Sequence, residues 1–301
     1  MQNNKSSKKI VKFPGRNIQG INMSKRNKDI VGKKKMRVIA ITSGKGGVGK
    51  TNIVANLGYA LCKQGKRVII LDADLGLGNL DILLGIVPKC NMSHVIRGEK
   101  SISDIIIEGP GNIQILPASS GIQEHTKLGE DQKEHINNEL GLMSKGVDIL
   151  LIDTAAGISS NVMYFNLFAH EIIIVVSPEP TSITDAYALM KVLSLKYSER
   201  NFKLMVNLVN EKNEAYEIFR QLNLVSDRFL DVSLEYLGCV LYDENLVRGV
   251  RRQRIVSDLY PDSHASKCFT SLALNICNSS EAYPVNSKKK LWNNIFWRNG
   301  D

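Results

Sequence analysis

The chain has 301 residues, 43% of them hydrophobic, and a formal charge of +9, which is enough apolar material for one α/β unit with a sizeable core. The charge is unevenly placed: residues 1–37 hold twelve Lys/Arg against Asp29 alone, so this segment is +11 and residues 38–301 sum to −2. A basic body wrapped on nucleic acid is therefore not indicated. The N-terminus has no apolar signal-type core, and apolar runs such as Ile172–Val176 fall far short of the ~18 residues of a membrane span, so the sequence reads as soluble and cytoplasmic.

Residues 1–36 are rich in Lys, Asn and Ser, show little apolar periodicity, and read as a basic disordered arm. Regular structure is predicted from Arg37. Apolar runs at Val38–Ile41, Val68–Leu71, Val147–Ile152, Ile172–Val176 and Leu204–Val209 predict buried strands, with shorter ones at Ile113–Leu116 and Leu237–Val240. Helical stretches fall between or after them, at Asn52–Lys63, Asp131–Met143, Ser182–Lys196, Asn213–Leu224 and Ser263–Cys277. This alternation predicts a doubly wound α/β fold, a mostly parallel sheet with helices on both faces. There is no internal repeat. Cys62, Cys90, Cys239, Cys268 and Cys277 form no CxxC pair or metal spacing and read as small hydrophobes in a reducing compartment.

Between the first strand and the first helix stands Gly44-Lys45-Gly46-Gly47-Val48-Gly49-Lys50-Thr51, which matches G-x-x-x-x-G-K-[ST] in the strand-to-helix setting that the motif requires. Glycines let successive backbone N–H groups turn inward around phosphate oxygens, and the following helix, with Asn52 in its first turn, presents its positive end to the same anion. Lys50 is expected to reach the β- and γ-phosphates of ATP, and the Thr51 hydroxyl to ligate Mg²⁺.

Two acids, Asp72 and Asp74, follow the second strand and point to one side if the chain stays extended. A third, Asp153, ends the apolar strand Ile149–Ile152 in the Walker B manner, positioned to hold a magnesium-bound water.

The second lysine of the loop, Lys45, resembles the signature lysine of the deviant-Walker ATPases of the MinD/ParA type. The run Asp72-Ala73-Asp74-Leu75-Gly76-Leu77-Gly78-Asn79-Leu80-Asp81 is similar to their first switch, and Asp153-Thr154-Ala155-Ala156-Gly157 to their second, with Ala155 a mild departure. The resemblance covers residues 37–278. It implies that Lys45 reaches the partner's nucleotide across an ATP-bound homodimer, that Asp74 orients the attacking water, that Asp72 lies in the magnesium shell with Thr51 and Asp153, and that Asn207 contacts adenine. Asp81 is assigned to loop support.

Ser177-Pro178-Glu179-Pro180-Thr181-Ser182-Ile183-Thr184-Asp185-Ala186-Tyr187-Ala188 resembles the matching run of the FlhG (FleN, YlxH) flagellar-number regulators more than that of MinD. Its prolines predict an extended entry to a helix that Thr181 or Ser182 caps. That family usually pairs with the GTPase FlhF, and many members stimulate it through an N-terminal D-Q-A-x-x-L-R motif, which residues 1–32 lack. Flagellar assembly or regulatory proteins are the other partners implied.

After a polar linker, residues 279–287, come Lys288, Lys289 and Lys290, then Leu291, Trp292, Ile295 and Phe296 on one helical face, and Trp297. Lysines beside aromatic residues describe an interfacial amphipathic segment over 288–301, similar to the membrane-targeting helix of MinD and FlhG. The expected location is thus cytoplasmic, peripheral on the inner face of the cell membrane. Arg248, Arg251, Arg252 and Arg254 read as a solvated or salt-bridged face. The function expected is an ATP-hydrolysing, Mg²⁺-dependent, dimerising membrane switch for flagellar number and placement. A MinD-type division-site regulator and a ParA-type DNA-partitioning ATPase are the alternatives, and the Trp-bearing tail argues against the second.

Overall fold

The computed structural model describes residues 36–118, 127–143 and 146–279. Residues 1–35 of the arm and the whole proposed membrane segment lie outside the described residues. In chain order the elements are β1 (Arg37–Ser43), α1 (Lys50–Lys63), β2 (Val68–Ala73), α2 (Leu80–Leu84), α3 (Met92–Ile96), α4 (Ile102–Ile105), β3 (Ile107–Glu108), β4 (Gln114–Leu116), α5 (Glu130–Leu142), β5 (Ile149–Ala156), α6 (Ser160–Phe168), β6 (Glu171–Val176), α7 (Pro180–Tyr197), β7 (Asn201–Val209), α8 (Lys212–Leu230), β8 (Ser233–Leu241), α9 (Glu244–Arg251), α10 (Val256–Leu259) and α11 (His264–Asn278).

The strands form one sheet in the order β3-β4-β2-β5-β1-β6-β7-β8. All pairings are parallel except the two-residue β3, which lies antiparallel on β4 at the edge. Alternate residues of each strand enter opposite cores, as the pleat requires. Ile39, Ile41, Ile70 and Leu151 pack under α1 and α11. Val38, Ala40, Ile69 and Leu150 pack on the other face with residues of α5 and α6, and a third cluster joins β6 and β7 to α7 and α8. The doubly wound expectation is met.

Every helix and strand predicted within the described residues is present, and the differences lie in what was not predicted. Helix α6 is buried from Asn161 to Asn166 on all sides, so it shows no apolar stripe to read. Helix α7 starts at Pro180, two residues earlier than expected, with no side-chain cap. The expected capping role of Ser182 is therefore corrected: its hydroxyl accepts from the Ser177 N–H of the preceding loop at 3.0 Å. All five cysteines are free thiols; Cys239 is buried and the others are half-buried. Among the described residues no helix is long and apolar enough to cross a membrane.

At the amino ends of the central strands sits an ion cluster. Glu171 of β6, almost fully buried, accepts from Arg37 of β1 at 2.7 Å and pairs with Lys203 of β7 at 3.1 Å. The Arg37 guanidinium also donates to the Ile276 carbonyl at 2.6 Å and to Ser279 Oγ at 3.2 Å, at the end of α11.

Candidate nucleotide site

The carboxyl ends of β2, β5 and β1 lie side by side, where the chain leaves β1 for one flank of the sheet and later returns to the other. The phosphate loop fills this crevice. Gly47 and Gly49 have φ of 81° and 89°, the left-handed region that glycine enters without strain. Gly49 ends the loop as the N-cap of α1 and offers no side-chain cap, so the first N–H groups of a 14-residue helix face the loop. Ser43 Oγ donates to the Lys45 carbonyl at 2.7 Å, and the Gly157 N–H donates to the Ser43 carbonyl at 2.9 Å, tying the loop to the segment after β5.

Parallel register pairs Asp72 with Asp153 across β2 and β5. Both are buried, and burial raises both carboxyls above the usual range; the Asp153 charge raises Asp72 further. Hydrogen bonding from Thr51 and the charge of Lys50 pull Asp153 back. Lys50 is lowered by burial, with Asp153 and Asp74 opposing. One oxygen of Asp153, Oδ1, is buried without a hydrogen-bond partner. A buried carboxylate with one oxygen unpartnered, next to the Thr51 hydroxyl that hydrogen-bonds the group, suits a hard cation, so the residues present fit magnesium.

Asp72 lies near the end of β2 and Asp74 just beyond it, where the charge of Asp74 still acts on Lys50, Asp72 and Asp153. Asp72 Oδ1 accepts from the Asp74 N–H at 3.1 Å, while Oδ2 accepts from the Asn79 and Leu80 N–H groups, both at 3.1 Å. Asp72 thus folds the switch loop on itself. Asp74 accepts from the Leu77 N–H at 3.2 Å. Asp81 Oδ1 accepts from the Ile82 N–H at 2.8 Å, in the first turn of α2.

Lys45 turns away from the loop, bonding to the Glu179 carboxylate and donating to Thr181 Oγ1 at 2.8 Å. Asn207 is buried at the end of β7 and donates from Nδ2 to the Val48 carbonyl at 2.8 Å, bracing the loop from behind; its Oδ1 has no partner. A register shift spans Asn207 and Val209, and Leu208 between them has φ 61°.

Sequence reasoning missed Glu179 and Thr181 as partners of Lys45, although Glu179 stands between two prolines beside the loop strand. It also missed a buried network in which Asn166 of α6 donates to Thr42 Oγ1 at 3.2 Å and Thr154 donates to the same oxygen at 3.0 Å. Asn166, following the apolar and aromatic run Val162–Phe165 of α6, was the available signal. The arginine cluster is paired largely as expected: Arg248 with Glu244, Arg254 with Asp258, and Arg252 with the Tyr260 hydroxyl.

Fold and loop together define a P-loop protein of the MinD/ParA ATPase class. A family described as an AAA domain matches residues 36–206. MinD of Pyrococcus horikoshii complexed with Mg-ADP superposes with a TM-score of 0.66 at 25% identity, covering 81% of this chain and 96% of that one. The antiactivator FleN of Pseudomonas aeruginosa is 43% identical over 256 residues, 85% of this chain and 91% of FleN. The flagellum site-determining protein YlxH of Helicobacter pylori is 35% identical, covering 79% of this chain and 80% of YlxH. The chain belongs to the FleN/YlxH family of flagellar-number regulators.

Proposed function

We propose that the chain is a Mg²⁺-dependent ATPase switch that dimerises on ATP, binds the inner membrane through residues 288–301, and sets flagellar number or placement. The observation that carries the catalytic reading is the juxtaposition of an uncapped helix and glycine loop with buried Asp153, which Thr51 hydrogen-bonds and which keeps one oxygen unpartnered. Backbone N–H groups from Gly44 to Thr51, with Asn52 in the first turn of α1, cradle the phosphates. Lys50, its pKa lowered by burial with Asp153 and Asp74 opposing, reaches the β- and γ-phosphates. Thr51 and Asp153 would hold magnesium, with Asp72 behind them, and the ion would supply neutralisation of the charge on the phosphate oxygens. Asp74 orients the attacking water. Asn207 keeps Val48 in place and leaves Oδ1 to accept from the adenine amino group.

Lys45 exchanges Glu179 and Thr181 for the neighbour's phosphates when two chains meet, stabilising the charge that develops during phosphoryl transfer. A single amphipathic tail binds weakly, and two in a dimer bind together, which makes membrane residence depend on ATP. FlhF-type GTPases or flagellar regulators are the partners this reading implies.

The test is ATP hydrolysis and light scattering on Lys45→Ala, Lys50→Ala and Asp74→Ala. Lys50→Ala loses ATP binding; Lys45→Ala stays monomeric; Asp74→Ala dimerises without turnover. Normal turnover in Asp74→Ala removes its role. Vesicle pelleting with ATP fails once residues 288–301 are deleted, and persistence of pelleting overturns the membrane reading. Counting flagella in a deletion strain separates this task from division-site placement.

A further inference from the structure

We propose that Thr154 and Asn166, which meet at the Thr42 hydroxyl, are positioning residues that fix the spacing between the phosphate loop and Asp153 on which magnesium binding depends. The register of β1 and β5 is irregular at this place. Ile41 stands opposite Asp153 and Ser43 opposite Ala156, so Thr154 and Ala155 together face the single residue Thr42. A bulge in a parallel ladder is rare, and bulges re-aim side chains beside sites of chemistry. This one lies between the strand that leads into the phosphate loop and the strand that carries Asp153. Side chains take over where the ladder breaks. Thr154 Oγ1 lies 3.2 Å from the Ile41 carbonyl, 3.0 Å from Thr42 Oγ1 and 3.0 Å from the Ala155 carbonyl. Asn166 Nδ2 donates to Thr42 Oγ1 at 3.2 Å and to the Val162 carbonyl at 2.8 Å.

The pleat separates two faces. Ile41 and Leu151 lie in the core under α1, whereas Ala40, Leu150 and Ile152 lie in the core that includes Phe165 of α6. By alternation Asp153 turns toward α1, where Thr51 bonds it, and Thr154 turns toward α6 together with Thr42. Successive residues of one strand end thus face the metal site and the network, and a shift of Thr154 carries Asp153 with it. Thr42, Thr154 and Asn166 are all buried. Stability alone does not call for polar groups there, because an apolar set of the same shape can be as stable. Asn166 Oδ1 has no partner, so the network is retained in spite of an unsatisfied acceptor. Asn166 also belongs to the helix that follows Gly157, whose N–H donates to the Ser43 carbonyl at 2.9 Å. The root of the loop, the strand end at Asp153 and α6 are therefore tied through one hydroxyl.

This assignment rests on the ATPase reading above, and two independent readouts keep the two apart. Thr154→Val keeps the shape and loses the hydroxyl, Thr154→Ser keeps the hydroxyl, and Asn166→Leu loses the amide. Each full-length variant is measured for ATP turnover. Separately, magnesium is titrated to find the concentration that gives half of the melting-temperature rise produced by saturating ADP. Thr154→Val and Asn166→Leu are expected to lower kcat and to raise the magnesium requirement, each by about tenfold or more, with KM for ATP at saturating magnesium changed by less than about twofold. Their melting temperatures without nucleotide stay close to that of the wild type, and Thr154→Ser restores both readouts. Wild-type kcat and magnesium requirement in Thr154→Val overturn the inference. So does a Thr154→Ser protein as impaired as Thr154→Val, which makes packing of the methyl group the cause. If Asn166→Leu does not fold, the valine and serine variants decide the matter between them. A wild-type protein that shows the ADP-induced rise but no turnover sinks the ATPase reading instead, and the magnesium requirement of Thr154→Val still decides the inference.

Discussion

A methyl group at Gly44 would run into the backbone carbonyl of Asp185 in α7, and one at Gly49 would lie 2.5 Å from Asn207 Nδ2. The loop is thus held by close packing as well as by its glycines, and Asn207 is its inner brace. Replacing Asn207 by Ala removes the donor to Val48 and leaves a buried carbonyl unpaired, a loss of about 1–3 kcal/mol. ATP affinity is expected to fall roughly tenfold or more, read by titration with a fluorescent nucleotide, while the fold persists.

The Asp72–Asp153 pair makes a pH prediction. Both carboxyls are raised in the folded state, so the native protein holds protons that the unfolded chain has released. Stability from this pair is present below the ordinary carboxylate range and is lost as pH rises through and above it. Without nucleotide and magnesium, the melting temperature should decline toward pH 8. Asp72→Asn, which loses an acceptor for the switch-loop amides, should start lower at pH 5 but decline less. An equally steep decline in the variant would show that the pair is not the cause.

At the scale of elements, the cluster at the amino ends of β1, β6 and β7 is the test case. Glu171→Ala strands Arg37 and Lys203 in a buried setting, a cost of about 3–5 kcal/mol by thermal or denaturant unfolding. Arg67→Ala breaks an exposed pair with Asp148 and should cost only a small fraction of that. Elements also show what a sequence makes legible. The strand at Arg37–Ser43 could be read because its apolar run ends in a glycine cluster, and α8 because its apolar residues recur on one face. Helix α6 could not, because burial on every side erases periodicity. In the site, the loop and the three acids were legible from their letters, since backbone geometry ties them to glycines and strand ends. The partners of Lys45 and the bracing by Asn207 were not, for they depend on how α7 and β7 approach residues more than 130 positions earlier.

For the whole molecule, the proposed switch predicts linked stability. ATP with magnesium at a hundred times its Kd should stabilise the protein by about 2.7 kcal/mol, seen as a raised melting temperature. In the Asp74→Ala background, where ATP persists, the rise should also grow with protein concentration, because the dimer is favoured by mass action. Lys50→Ala should abolish both effects. A rise independent of protein concentration would describe a nucleotide-binding monomer and would remove Lys45 from the reaction centre.

The strand order has a consequence for biosynthesis. Because β5 lies between β1 and β2, those two strands share no ladder of their own until the later one arrives. A nascent chain that has emerged only to residue 118 already carries the whole glycine turn, yet nothing joins the two halves of its seat. Capacity for ATP should therefore appear abruptly during synthesis, after Ile149–Ala156 has left the ribosome, and until then both inner strand edges stand open to other chains.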